Sequence, residues 1–142
     1  MLIVYYSRTG NTEKMALAVA EGAKMVQNTE VELKYQATAE ELANYDAIAI
    51  GTPTYHHDMS LDMKNLFEEA AVKNINLKDK IGAAFGSYGW SGEAPRLVLE
   101  IMKNKFQMRT IEPSLIVKYE PDQKSLEKCR EYGRKIAELL VS

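Results

Sequence analysis

Within six positions the run Ser7-Arg8-Thr9-Gly10-Asn11-Thr12 gathers three hydroxyls, one glycine and one asparagine. An apolar run, Leu2 to Tyr6, precedes it, and a helical pattern follows it at once. A buried strand that enters such a loop and then a helix builds an anion site. The helix N-terminus has unpaired N–H groups and a partial positive charge. Gly10 lets the main chain come close to a ligand, and Ser7, Thr9 and Thr12 each offer a hydroxyl donor. These are the parts of a phosphate cradle.

Other phosphate loops do not match. No G-x-x-x-x-G-K-[ST] occurs, which excludes a nucleoside triphosphate P-loop, and no G-x-G-x-x-G follows the first strand, which excludes a dinucleotide fingerprint. A metal-dependent receiver domain needs acidic residues at the end of the first strand, where this chain has Tyr5-Tyr6-Ser7.

Two further loops carry aromatics beside Gly or Pro. One reads Gly51-Thr52-Pro53-Thr54-Tyr55-His56-His57-Asp58-Met59, the other Gly86-Ser87-Tyr88-Gly89-Trp90-Ser91-Gly92-Glu93. Trp90, the only tryptophan, lies among glycines that cannot bury it locally. It is available either to stack on a flat ligand or to plug the sheet edge; a phosphate loop on the same edge favours a planar phosphorylated ligand. His56 and His57, adjacent on an extended loop, point apart and have no third His or Cys beside them, so no metal site is expected.

The elements that must position these loops alternate. Strands are expected at Leu2–Tyr6, Val31–Tyr35, Ala47–Ile50, Ile81–Phe85 and through Leu115-Ile116-Val117, the last running uninterrupted from about Thr110 to Lys118. Helices are expected over Asn11 to about Gln27, a short Ala39 to Asn44, Leu61 to Val72 (Leu61, the Lys64 stem, Leu66 and Phe67 on its inner face), Ala94 to Phe106, and from Pro121-Asp122 through Leu126, Cys129, Gly133, Ile136 and Leu140. Five βα units imply a parallel sheet covered on both faces. Right-handed crossovers put the strand C-termini on one edge, where ligands of open α/β sheets bind.

Composition narrows the class. A chain of 142 residues suits one domain, 1–142, and 46% hydrophobic residues suit a packed core. A net charge of −2 gives no electrostatic case for nucleic acid. No apolar run approaches the roughly 20 residues of a membrane span, and no basic region precedes the first apolar run, so neither membrane nor signal peptide is expected. The single Cys129 cannot form an internal disulfide and sits among Glu127, Lys128, Arg130 and Glu131, consistent with a structural role and a reducing cytoplasm.

The motifs Y-S-R-T-G-N-T, G-T-P-T-Y and F-G-S-Y-G-W-S-G-E, in that order and covering essentially the whole chain, resemble the FMN-binding loops of flavodoxins. The short-chain type is most similar, together with the flavodoxin domains of flavodiiron proteins. The resemblance implies a three-layer αβα sandwich with a five-stranded parallel sheet of order 2-1-3-4-5 and one non-covalent FMN. It implies that Ser7, Arg8, Thr9, Gly10, Asn11 and Thr12 form the phosphate loop, with Arg8 turned to solvent. Thr52, Pro53, Thr54 and Tyr55 would line the ribityl chain and one ring face, and Trp90 would stack on the ring. Tyr88 and Gly89 would approach the pyrimidine edge through their backbones, Glu93 would line the same loop, and Ser87 and Gly92 would belong to the cofactor site with them. The His56–His57 peptide matches the one that turns toward the flavin on reduction in the family, where flavodoxins often have Gly. No residue is expected to be catalytic.

The function implied is an electron carrier, a monomer without nucleic-acid or membrane partners. It would exchange low-potential electrons with redox partner proteins: reductases, iron–sulfur or flavodiiron oxidoreductases. The alternatives are an FMN-dependent NAD(P)H/quinone oxidoreductase, disfavoured by the short loops, and a stand-alone flavodiiron-type flavodoxin domain.

Overall fold

The computed structural model describes residues 1–142. Its strands are β1 (Leu2–Tyr5), β2 (Glu32–Tyr35), β3 (Ala47–Gly51), β4 (Ile81–Tyr88), β5 (Arg109–Thr110) and β6 (Leu115–Lys118). Its helices are α1 (Asn11–Lys24), α2 (Ala39–Leu42), α3 (Leu61–Val72), α4 (Ala94–Asn104) and α5 (Gln123–Val141). The order β2-β1-β3-β4-β5, all parallel, is the expected one.

Alternation along the central strands sorts side chains between two layers. Leu2, Val4, Ile48, Ile50 and Ala84 point to the face covered by α3 and α4. Ile3, Ala47, Ala49, Ala83 and Phe85 point to the face covered by α1 and α5. Both faces are buried, so these strands read as continuous apolar runs. At the edge, β2 keeps the half-exposed pattern of its alternating sequence.

The α1–α5 crossing is close because two glycines make it so. A Cβ on Gly22 would lie 1.8 Å from the Arg130 carbonyl oxygen, and one on Gly133 would lie 1.9 Å from that of Val19. Main chain therefore rests on main chain at both points. Further caps fix the helix entries: Ser60 Oγ accepts from Met63 N at 3.3 Å, and Asp122 Oδ1 accepts from Ser125 N at 2.8 Å.

Three expectations need correction. The last strand is not continuous: β5 pairs only Ile81 and Gly82 of β4, β6 pairs Phe85 to Tyr88, and the chain between them leaves the ladder. Pro113 lies in that gap and has no N–H to contribute. The stranded peptide groups of Ala84 are taken by a side chain. Tyr132 of α5 accepts from Ala84 N at 3.2 Å and donates to Ala84 O at 3.1 Å. Burial pushes its phenol up to about 12, so the proton it donates stays in place at neutral pH. On α3, Leu61 and Lys64 face solvent and Met63, Leu66, Phe67 and Ala70 make the buried stripe; the i, i+3, i+4, i+7 spacing that starts at Met63 turns Leu61, two positions earlier, to the opposite face. Finally, α1 ends at Lys24 and α4 at Asn104, short of the expected Gln27 and Phe106.

Tyr132→Phe removes one oxygen that serves two peptide groups. The expected loss is about 1–3 kcal/mol of unfolding free energy, the usual cost of stranding buried polar groups. Urea denaturation monitored by circular dichroism measures it, with an unchanged m-value; a midpoint equal to the parent's contradicts this role of Tyr132.

Candidate functional site

The C-terminal ends of β1, β3, β4 and β6 share one edge, and the loops leaving them enclose a cavity of about 250 Å³. Arg8, Thr9, Asn11 and Thr12 line it from the first loop, Pro53, Thr54 and Tyr55 from the second, and Ser87, Tyr88 and Gly89 from the third. Tyr119, just after β6, completes it.

The floor is an amide cradle. Gly10 caps α1 at φ 92 with no side-chain cap bond, a left-handed conformation that glycine adopts without strain. The N–H groups of Arg8, Thr9, Asn11 and Thr12 donate to no other group of the protein. Ser7 Oγ accepts from Gly10 N at 3.1 Å and from Glu13 N at 3.4 Å. Thr12 Oγ1, buried, accepts from Ser87 N at 3.3 Å. Accepting main-chain amides uses the lone pairs of both oxygens and leaves both hydroxyl hydrogens free to donate. Four N–H groups, two hydroxyls and the positive end of a 14-residue helix make a donor set for a doubly charged phosphate.

The walls are aromatic. Tyr55 stands under the Arg8 guanidinium, 5.7 Å from Cζ to the ring centroid, so Arg8 is exposed as expected but rests on an aromatic wall as well. Beneath the third loop, Ser87 Oγ donates to Tyr119 O at 2.8 Å and Tyr119 N donates to Tyr88 O at 2.7 Å. These bonds bind the loop after β6 to the end of β4. A Cβ on Gly86 would lie 1.9 Å from the Thr52 carbonyl oxygen, so β4 lies tight against the second loop.

Several expected residues stand back from the cavity. Thr52 is fully buried and gives its hydroxyl to Pro53 O at 3.0 Å, so it supports the wall instead of facing a ribityl chain. Gly92 packs behind the third loop, where a Cβ would meet Tyr88 and Ile116. Trp90 is 83% exposed, and its ring lies 4.9 Å from that of His57, at the rim. Glu93 also lies at the rim, 3.2 Å from His57 Nδ1; the Ser91 hydroxyl and then His57 hold its carboxyl below the usual range. Tyr119 was not anticipated. Its signal was its position, directly after the strand segment ending at Lys118, on the same edge as the other loops.

His56 and His57 form a tight turn, not an extended loop. Tyr55 N donates to Asp58 O at 2.7 Å and Asp58 N to Tyr55 O at 2.9 Å. The central residues stand at φ 49 and φ 66, the signs of a type I′ turn. Histidine tolerates this region better than most residues, but at a cost. Both histidines therefore hold a positive φ. Relief of strain outweighs the gain in unfolded-chain entropy, so His56→Gly is expected to stabilise the protein by about 0.5–1 kcal/mol. Thermal unfolding checks this; a lower melting temperature for the glycine variant contradicts it.

An anion cradle at the edge of a parallel αβα sheet, walled by aromatic rings, defines a binder of a flat, phosphorylated cofactor. The family model for flavodoxin matches residues 3–133, and the chain belongs to the flavodoxin family, whose cofactor is FMN. A flavodoxin of Aquifex aeolicus is 36% identical over 97% of this chain and 85% of its own length. A type A flavoprotein of Rhodobacter capsulatus is 39% identical over 99% of this chain, which spans only 33% of that relative. Among solved structures, a flavodoxin from the domain Archaea superposes with a TM-score of 0.91 at 38% identity, covering 99% of this chain and 98% of that one. No helix is long and apolar enough to cross a membrane.

Proposed function

We propose that this chain holds one FMN in the cavity described and serves as an electron carrier between redox proteins, without a substrate site of its own. The observation that supports this best is the cradle of four unpaired amides and two free hydroxyl hydrogens, set beside aromatic walls. Bound there, FMN supplies one- and two-electron transfer. Ser7 to Thr12 would bind its phosphate, Thr54, Tyr55 and Tyr119 would border its body, and Trp90 and Glu93 would stand at the rim. The chain's own work is to hold the cofactor, exclude water beneath it through the buried Thr52 and Ser87, and leave one margin open to a partner. Partners are reductases and iron–sulfur or flavodiiron oxidoreductases. Tyrosine walls, with Trp90 and Glu93 at the rim, disfavour added negative charge and so favour a low potential.

The test is an absorption spectrum of the purified protein, followed by denaturation and identification of the released flavin. One FMN per chain, reducible and reoxidised by an added electron-transfer protein but idle with NAD(P)H and quinone, is the expected result. Release of FAD, riboflavin or nothing refutes the reading, and steady turnover of quinone makes it an enzyme. A second reading, a domain that serves a flavodiiron-type oxidoreductase, is supported by the match to one third of the Rhodobacter type A flavoprotein. Co-purification with a di-iron protein would distinguish it.

A further inference from the structure

The loops after β3 and β4 are joined at two levels. Near their bases, Ala94 N donates to Thr54 Oγ1 at 3.0 Å. At their tips, His57 Nδ1 lies 3.2 Å from Glu93 Oε1, and the imidazole lies 4.9 Å from the Trp90 ring at an interplanar angle of 59°. Trp90 is 83% exposed, and His57 is its only aromatic neighbour.

We propose that His57 is a positioning residue: held by Glu93, it clamps the two loops together and fixes Trp90 at the rim, and its protonation tightens the clamp. This rests on the FMN reading above and adds to it a control on how the cofactor is retained.

Protonated, the imidazole carries a charge for the Glu93 carboxylate and, on the same ring, a cation beside the Trp90 indole. Neutral, it keeps at most one hydrogen bond to the carboxylate. The turn fixes where the ring stands, because His57 sits at φ 66 between two residues that exchange main-chain hydrogen bonds. The charged groups around it are few. From the third loop only Glu93 pairs with it. On its own turn, Asp58 is engaged by Lys64 of α3, and His56 is exposed. Glu93, held below the usual carboxylate range by the Ser91 hydroxyl and His57, stays ionised while an imidazole titrates. His57 is therefore the group whose charge sets the clamp.

The experiment follows release of FMN from the loaded protein, read by recovery of flavin fluorescence from about pH 5.5 to 8, the range of an imidazole. Release is expected to slow about two- to fivefold toward the acidic end, the worth of an exposed ion pair plus a cation–π contact. His57→Asn keeps a side chain tolerant of positive φ and should flatten the profile, as should Glu93→Gln, while His56→Asn should leave it. The phosphate of FMN ionises in the same range, but equally in every variant, so the difference from the parent isolates His57. Fluorescence of Trp90 across the same pH range supplies a second reading: it should change in the parent and in His56→Asn, and stay flat in His57→Asn. Parallel release profiles for the parent and His57→Asn, or an equal pH response of Trp90 fluorescence in the two, would overturn the proposal. A chain that holds no FMN would defeat the functional reading, and the Trp90 response would still decide the clamp.

Discussion

Gly133→Ala is expected to destabilise the protein by at least about 2 kcal/mol, although the same change in an exposed helix would stabilise it by about 1 kcal/mol. The new Cβ would stand 1.9 Å from the Val19 carbonyl oxygen and 3.1 Å from the Ala23 nitrogen, both main chain. No rotamer change can relieve that contact, so α1 and α5 must separate. Their separation loosens the layer built from Met15, Val19, Cys129 and Ile136. Gly89→Ala is the control, since its Cβ would meet nothing closer than a Tyr119 ring carbon at 3.9 Å; its stability should stay within about 0.5 kcal/mol of the parent. Urea denaturation of the three proteins decides the matter. Equal stability for Gly133→Ala would mean that the helices do not cross in this contact.

The second large effect is on the cofactor. Thr12→Val is expected to weaken FMN binding by about 2–3 kcal/mol, which is about 30–150-fold in Kd. Valine preserves the shape of threonine, but it removes a hydroxyl donor to a charged phosphate and leaves the buried Ser87 N–H without its acceptor. Fluorescence titration with FMN measures the loss. Riboflavin, which lacks the phosphate, separates the two contributions: it should feel only the disturbance at Ser87. Thr12→Ser restores the hydroxyl and should recover most of the affinity. An equal loss for FMN and riboflavin would show that the Thr12 hydroxyl does not serve the phosphate end.

Much of this was legible in the sequence, because its signals are local. Apolar runs marked the buried central strands, and Ser/Thr/Gly after the first of them marked the anion loop. The unread parts depend on distant partners. Pro113 signals the break between β5 and β6 locally, but the break is stable because Tyr132, on a helix far along the chain, closes the ladder at Ala84; no pattern around Thr110 to Lys118 carries that closure. Gly22 and Gly133 fitted the helical spacing, yet nothing in spacing says that two helices meet main chain to main chain there. The resemblance makes Thr52 a lining residue, but the tight approach of Gly86 to its carbonyl buries it. Tyr119 needed only the rule that every parallel strand ends on the same edge, applied to the last strand as well as to the first three loops.

The cradle at the head of α1 has a consequence for how such a protein changes over generations. Its four unpaired donors are main-chain N–H groups, present whatever side chain other than proline stands at positions 8, 9, 11 and 12. Substitution can redraw the rim, recolour the walls and move the potential, but short of a proline at one of these four positions it deletes those donors only by undoing the turn at Gly10 or the helix itself. The anchor is inherited with the fold, and mutation is left free to explore what the anchored molecule does.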